Sequence, residues 1–442
     1  MTDQIENVKA WFRESILIKL GVIAIIMLAL LIPSFWIQSL IQEREGYQSQ
    51  VIKEVSNQWS TDQRVQGPVL VLPYKKPVSA SSTDKDKAAA NVTIYILPQN
   101  LQFKAGVKTG LLKKGIYEVT VYNSNINVSG AFNNPEINNL GIDPADVLYD
   151  KARLVFSISD LKGLKNNPTV KIADQSYSPE PATESNSPFA MGLEVGFPLK
   201  KGQGFGFSYQ LDIKGTNNLS FTHLGKTTDV EINSDWTNPV FDGRYLPDHR
   251  TVTDKGFNAK WHLLYYNRPF PQQWADRDSL LTGSRSQEGV FGVKMQQAVD
   301  QYRKITSTAK YSPLIILLAF VSLLLTELIR KERIHLFNYI LIGAAMVVYY
   351  TLLLSLAEQI GYNMAYLLSS VATIALISTF ASSLLKKKQA ALLFAFILSL
   401  FYGFIFIIIQ LEELSLLAGS IALFLIVAAL MYFSRKINWD NH

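Results

Sequence analysis

Cysteine is missing from the whole chain, which removes disulfides, thiolate metal sites and a thiol nucleophile together. Histidine is scarce: His223, His249, His262, His335 and His442 include no pair at the three-to-five-residue spacing of dedicated zinc ligands. No metal and no cofactor is expected. Walker A loops, Rossmann glycine fingerprints, H-E-x-x-H helices and G-x-S-x-G elbows are all absent. Ser, His and Asp do occur in the middle of the chain, but sequence alone places no triad. The expectation is a protein that is not an enzyme, with a hydrolase outside the membrane as the remotest alternative. An excess of one charge is lacking as well: residues 43–309 carry 30 Lys plus Arg against 27 Asp plus Glu. A nucleic-acid footprint needs basic residues massed on one face, so nucleic acid is not an expected partner.

What the chain has in abundance is apolar sequence, 48% by composition and concentrated at its two ends. "LGVIAIIMLALLIPSFWIQSL", Leu20 to Leu40, runs without a charge and is long enough at about 1.5 Å per residue to cross roughly 30 Å of hydrocarbon. It ends in "SFWIQSLI", with no small-x-small cleavage site, so 16–41 is read as an uncleaved transmembrane helix after a cytoplasmic 1–15. Within 310–434 five more stretches each fit one crossing: Ser312–Ile329, Leu336–Leu356, Gly361–Leu385, Gln389–Ile409 and Leu414–Phe433. Threaded alternately, these spans place Arg330, Lys331, Arg333, Lys386, Lys387, Lys388, Arg435 and Lys436 on one side. "AEQIGYN" and "QLEEL", without Lys or Arg, fall on the other. Positive residues in short loops mark the cytoplasm. Both termini, including 435–442, are therefore expected inside, and 42–309 outside.

That outer segment begins with a helical stripe, Tyr47, Val51, Val55 and Trp59, and ends with a second helical stretch, "KMQQAVDQYRKIT". Between them lie short alternating runs such as "NVTIYILP", "GIYEVTVYNSNINVSG", "GFGFSYQLDI" and "AKWHLLYYNR", broken by Gly, Asn, Asp and Pro. This is the pattern of antiparallel strands, and it predicts a β-rich, sandwich-like domain. Asp235, Trp236, Arg250, Trp261, Tyr265, Tyr266, Arg268 and Trp274 crowd two neighbouring passages. Aromatics beside arginine are enriched where partners bind, which makes these residues a candidate binding face, while the plainer reading makes them β core. In the tail, Glu327 lies three and four residues before Arg330 and Lys331, where helical neighbours pair at the headgroups, and Glu358, Glu412 and Glu413 fall in outer loops. No charge sits mid-span, which argues against an ion-coupled transporter. Small residues in "IGAAM" and "LAGSIAL", with Ala418 and Ala422 four apart, suit close helix packing or a homo-oligomer seam.

The passages "EREGYQSQVIKEVSNQWSTDQRVQGPVLVLPY", "LSFTHLGKTTDVEINSDWTNPVFDGRYLPDHRTVTDKGFNAKW", "NRPFPQQW" and "LLLSLAEQIGYNMAYLLSS" follow one another along nearly the whole chain. In that order they resemble the CreD family of multi-pass inner-membrane proteins, linked to cell-envelope integrity. The resemblance implies a cytoplasmic N-terminus, a β-rich periplasmic domain and a role in envelope stress and β-lactam response. It supplies no reaction and no catalytic residues. The expected architecture is thus six transmembrane helices, one N-terminal and five C-terminal, with a large periplasmic β-rich domain. The expected function is envelope support through binding an envelope component or a membrane protein, with transport of an envelope lipid or amphiphile as the alternative.

Overall fold

The computed structural model describes residues 16–75, 91–182, 187–189, 191–275, 280–281, 284–295, 301–330, 334–385 and 388–411, with scattered positions between 417 and 431. The chain divides into two compact units, Met1–Gln48 with Val299–His442, and Ser49–Ala298.

In the first unit, helix α1 (Ile16–Trp59) contributes its first part. At 44 residues it is about 66 Å long, twice what a hydrocarbon core requires. Ile23, Leu30, Ile37 and Ile41 are buried along one seam, while Ile25, Leu28, Ile32, Phe35 and Trp36 stand exposed on the other faces. A helix apolar on every side is at home only where its outer face meets lipid. The remaining helices are α2 (Gln301–Lys310), α3 (Ser312–Arg330), α4 (Leu336–Ile360), α5 (Tyr362–Leu385) and α6 (Lys388–Gln410). Among the described residues four helices are long and apolar enough to cross a membrane, or five if α2 and α3, bent by 42°, count as one span. The sixth expected span, Leu414–Phe433, falls largely outside the described residues, as do Ala418, Ala422, Glu412 and Glu413.

Helix α2 groups with the membrane helices although the sequence reading assigns it to the outer domain; of the helix expected from Lys294, Gln301 onward is helical and 296–300 lie outside the described residues. Lys294 instead closes a strand whose Phe291 and Val293 are fully buried. Close packing accounts for Gly343 of "IGAAM": a Cβ there would run into Leu30 Cδ1 and lie 3.0 Å from Phe320 Cζ.

The second unit is built from two sheets. The nine-stranded one contains β1 (Gln63–Lys75), β2 (Asn91–Ile96), β5 (Ala152–Ile158), β8 (Glu180–Pro181), β9 (Leu193–Phe197), β11 (Asn218–Thr222), β13 (Val240–Gly243), β16 (Gln273–Ala275) and β17 (Val290–Lys294). The eight-stranded one runs β14 (His249–Thr253), β15 (Gly256–Leu264), β12 (Thr227–Ser234), β3 (Asn100–Lys114), β4 (Tyr117–Phe132), β10 (Phe205–Thr216), β6 (Val170–Ile172), β7 (Gln175–Tyr177). Pairing is antiparallel except for β1 with β11 and β3 with β12. Strict alternation in β3 sends Leu101, Phe103, Ala105 and Val107 inward and Gln102, Lys104, Gly106 and Lys108 outward. Rings from the two sheets meet across the core: Phe103 with Phe221 at 5.0 Å, Phe156 with Tyr209 at 4.4 Å, and Trp261 with Phe291 at 5.7 Å. Each such ring removed from water stabilises the unit by about 1.5–3 kcal/mol.

Candidate functional site

The eight residues of the expected binding face do not share a face. Trp261 on β15 is 2% exposed and donates its indole N–H to the Tyr245 carbonyl at 3.1 Å. Trp274 on β16, also buried, stacks on Tyr95 with ring centres 5.5 Å apart. Both are core side chains. Arg268 is buried as well and acts as a clamp: Nη1 donates to Leu224 O at 2.6 Å, Nε to Phe270 O at 3.0 Å and Nη2 to Gln272 Oε1 at 3.0 Å. Burial lowers its pKa to about 10. Only Tyr265, whose ring lies 5.0 Å from the guanidinium, and Tyr266, 91% exposed, carry this cluster to the surface. Trp236 is half-buried with its indole on Asn238 O, and exposed Arg250 lies 5.8 Å from the Phe241 ring. Asp235 accepts from the backbone N–H and the hydroxyl of Thr109, both at 2.9 Å.

Asp235 opens onto a groove of about 720 Å³ on the outer face of the eight-stranded sheet. Cross-strand register explains the part of its floor formed by Asn233, Gly106, Asn125 and Asp212, a row that Asn258 continues beyond the groove. Asn258, Asn233, Gly106, Asn125 and Asp212 are successive neighbours on β15, β12, β3, β4 and β10, one row across five strands. Asn258 Nδ2 donates to Asn233 Oδ1 at 2.7 Å at one end, and Asn125 Nδ2 donates to Asp212 Oδ1 at the other. Between the two pairs stands Gly106, where an added Cβ would meet nothing within 4 Å. The missing side chain leaves a gap in a row of carboxamides. Lys108, Lys165 and Lys255 edge the groove, against Asp212 and Asp235, and among the described residues no aromatic ring lines it. Lys165 Nζ donates to Asn123 Oδ1 at 2.9 Å. None of the asparagines belongs to the expected face; the signal for them is the parity of "NSNIN", which sends Asn123, Asn125 and Asn127 to one side of β4.

Two of the three histidines of this unit, His223 and His262, are engaged. His223 Nε2 lies 3.1 Å from the Leu264 carbonyl, which can only accept, so Nε2 carries the proton and Nδ1 accepts from Thr228 Oγ1 at 2.9 Å. His262 pairs with Asp229 at 2.6 Å on the exposed side, and that carboxylate raises its pKa.

In the membrane unit Glu327 pairs with Lys19 of α1 and accepts from Tyr339 OH at 3.2 Å; Lys19 also donates to Ile334 O at 3.1 Å. One partner is thus on another helix; the side chains of Arg330 and Lys331, to which the sequence points, are outside the described residues. Lys331, Arg333, Lys386, Lys387, Arg435 and Lys436 lie outside the described residues, while Arg330 ends α3 and Lys388 begins α6. Glu358 accepts from Tyr302 OH at 2.9 Å. Deeper in the helices the hydroxyls of Tyr350, Tyr402 and Ser369 are buried with no hydrogen-bond partner among the described residues.

Apolar helices joined in one chain to a large two-sheet unit define an integral membrane protein with a substantial extramembrane domain. The family model for the inner membrane protein CreD matches residues 15–440, and the chain belongs to the CreD family. It is 26% identical over 423 residues to the inner membrane protein CreD of Escherichia coli (strain K12), an overlap covering 93% of this chain and 91% of that protein.

Proposed function

We propose that this inner-membrane protein supports the cell envelope by binding an envelope component in the groove of its β unit, held on the periplasmic side with both termini in the cytoplasm. The carrying observation is the five-strand polar row interrupted at Gly106, an open recess with donors, acceptors and cations at its rim. A folded, ligand-sized recess without an assembled nucleophile and base suits recognition rather than catalysis. The orientation rests on eight basic residues clustered in alternate short loops. The test is covalent capture in intact cells with a photo-crosslinking residue at Asn233, or at Tyr266 as a second exposed position. Capture of one envelope component at Asn233 is expected. A folded protein that traps nothing there while cells lacking it keep normal envelope permeability would overturn the reading.

A second reading, passage of an envelope lipid or amphiphile through the bundle, is favoured by the unpartnered hydroxyls of Tyr350, Tyr402 and Ser369. A buried hydroxyl without a partner costs about 1–3 kcal/mol and invites a polar guest. Reconstituted vesicles showing no movement of labelled lipid above protein-free controls would remove it.

A further inference from the structure

We propose that the groove takes an acidic, hydroxyl-rich saccharide; this deepens the envelope-binding reading and rests on it. The chemistry follows from the row. Carboxamides offer a donor and an acceptor side by side, the complement of neighbouring hydroxyls on a sugar ring; Asn233 Oδ1 and Asn125 Nδ2 each hold one partner within the row and keep a second lone pair or N–H for a ligand. Asn233 and Asn125 are the cross-strand neighbours of Gly106 on its two sides, so their backbones stand about 10 Å apart, two strand spacings. The recess between them is open, and a ring lowered onto Gly106 has carboxamides on both flanks.

Charge selects the acid. Lys108, Lys165 and Lys255 outnumber Asp212 and Asp235, and each carboxylate already accepts from the protein's own donors, Asn125 for the first and Thr109 for the second. Three lysines against two aspartates leave the groove one net positive charge, and its ammonium and amide N–H groups reward a carboxylate or phosphate on the ligand through charge-assisted hydrogen bonds. The lack of an aromatic platform removes the stacking surface that would hold a neutral sugar. Shallow, solvent-exposed charge contacts are screened by salt, so binding weakens as ionic strength rises.

Gly106→Thr separates this site from the fold. Threonine favours strands, and its Cβ enters open space, so the recess fills without a clash. The full chain in detergent micelles is titrated with oligogalacturonate, a neutral maltooligosaccharide and oligoglutamate. The wild type is expected to bind oligogalacturonate about tenfold more tightly than either other probe, a preference lost with Lys108→Ala/Lys255→Ala. Gly106→Thr is expected to lose about tenfold with an unchanged melting temperature. Equal binding of the neutral sugar, equal binding of oligoglutamate, an unaffected Gly106→Thr, or no binding of oligogalacturonate would each overturn the saccharide assignment. In-cell capture of a different class of molecule at Asn233 would leave the envelope-binding reading standing while this one fell.

Discussion

At the scale of single residues, burial decides roles. His223 has its pKa pushed down to about 4, first by desolvation and further by the positive charge of Arg268, with the Leu264 hydrogen bond opposing. The unfolded chain takes up this proton near 6.5, the folded one only near 4, so the contribution of the neutral imidazole is complete above pH 6.5. It is lost as pH falls from there toward 4, by about 1.4 kcal/mol per pH unit. Denaturant unfolding followed by tryptophan fluorescence at pH 7 and pH 5 is expected to show a smaller fall for His223→Gln than for the wild type. Arg268→Ala is expected to destabilise the β unit by about 3 kcal/mol, because the carbonyls of Leu224 and Phe270 lose their donor inside the core. Arg268→Lys recovers part of this at most, since one ammonium cannot reproduce the planar fork. These roles were partly legible. In "AKWHLL" the alternation puts Ala259, Trp261 and Leu263 inside and Lys260, His262 and Leu264 outside, so the parity of Trp261 marked it as core. Arg268 follows a turn, where no period operates, and its burial depends on Leu224, 44 positions away.

Among elements, one small residue and one ion pair make helix packing testable. Gly343→Leu is expected to force α1 away from α4, costing about 1–3 kcal/mol of overpacking strain and lowering the melting temperature of the helical unit. Gly403→Leu, at a position where a Cβ meets nothing within 4 Å, provides the contrast and is expected to leave it unchanged. Glu327→Gln keeps a partner for Tyr339 but leaves Lys19 without its counter-charge. A loss of about 2 kcal/mol is expected, less than for a fully buried pair because Lys19 remains partly exposed and still bonds Ile334 O. Hydropathy alone located α1 and α4 to α6, because length and apolarity are local properties. Strand existence was equally readable from alternation. The parallel pairs β1 with β11 and β3 with β12 were not: their register is set by partners more than a hundred residues away, and no local pattern records it. The groove inherits this difficulty. Asn233, Gly106 and Asn125 become neighbours only once β12, β3 and β4 are aligned.

At the scale of the whole molecule, the natural absence of cysteine makes orientation directly measurable. Single cysteines at Lys255 and Lys388 are expected to react with an impermeant maleimide differently: Lys255→Cys in intact spheroplasts, Lys388→Cys only after permeabilisation. The reverse pattern would invert the proposed topology. Strand order adds a consequence for biosynthesis. β17, the last strand before the second set of membrane helices, sits inside the nine-stranded sheet between β13 and β11. Until the ribosome has made Val290–Lys294, β11 lacks the neighbour that covers the backbone of Leu219 and Phe221. The β unit therefore cannot finish folding during its own synthesis, and on the proposed topology it passes through the export channel as an open chain. A nascent chain stalled before Val290 would offer a bare strand edge to its neighbours, so the step most exposed to aggregation is the short interval before the second membrane segment emerges.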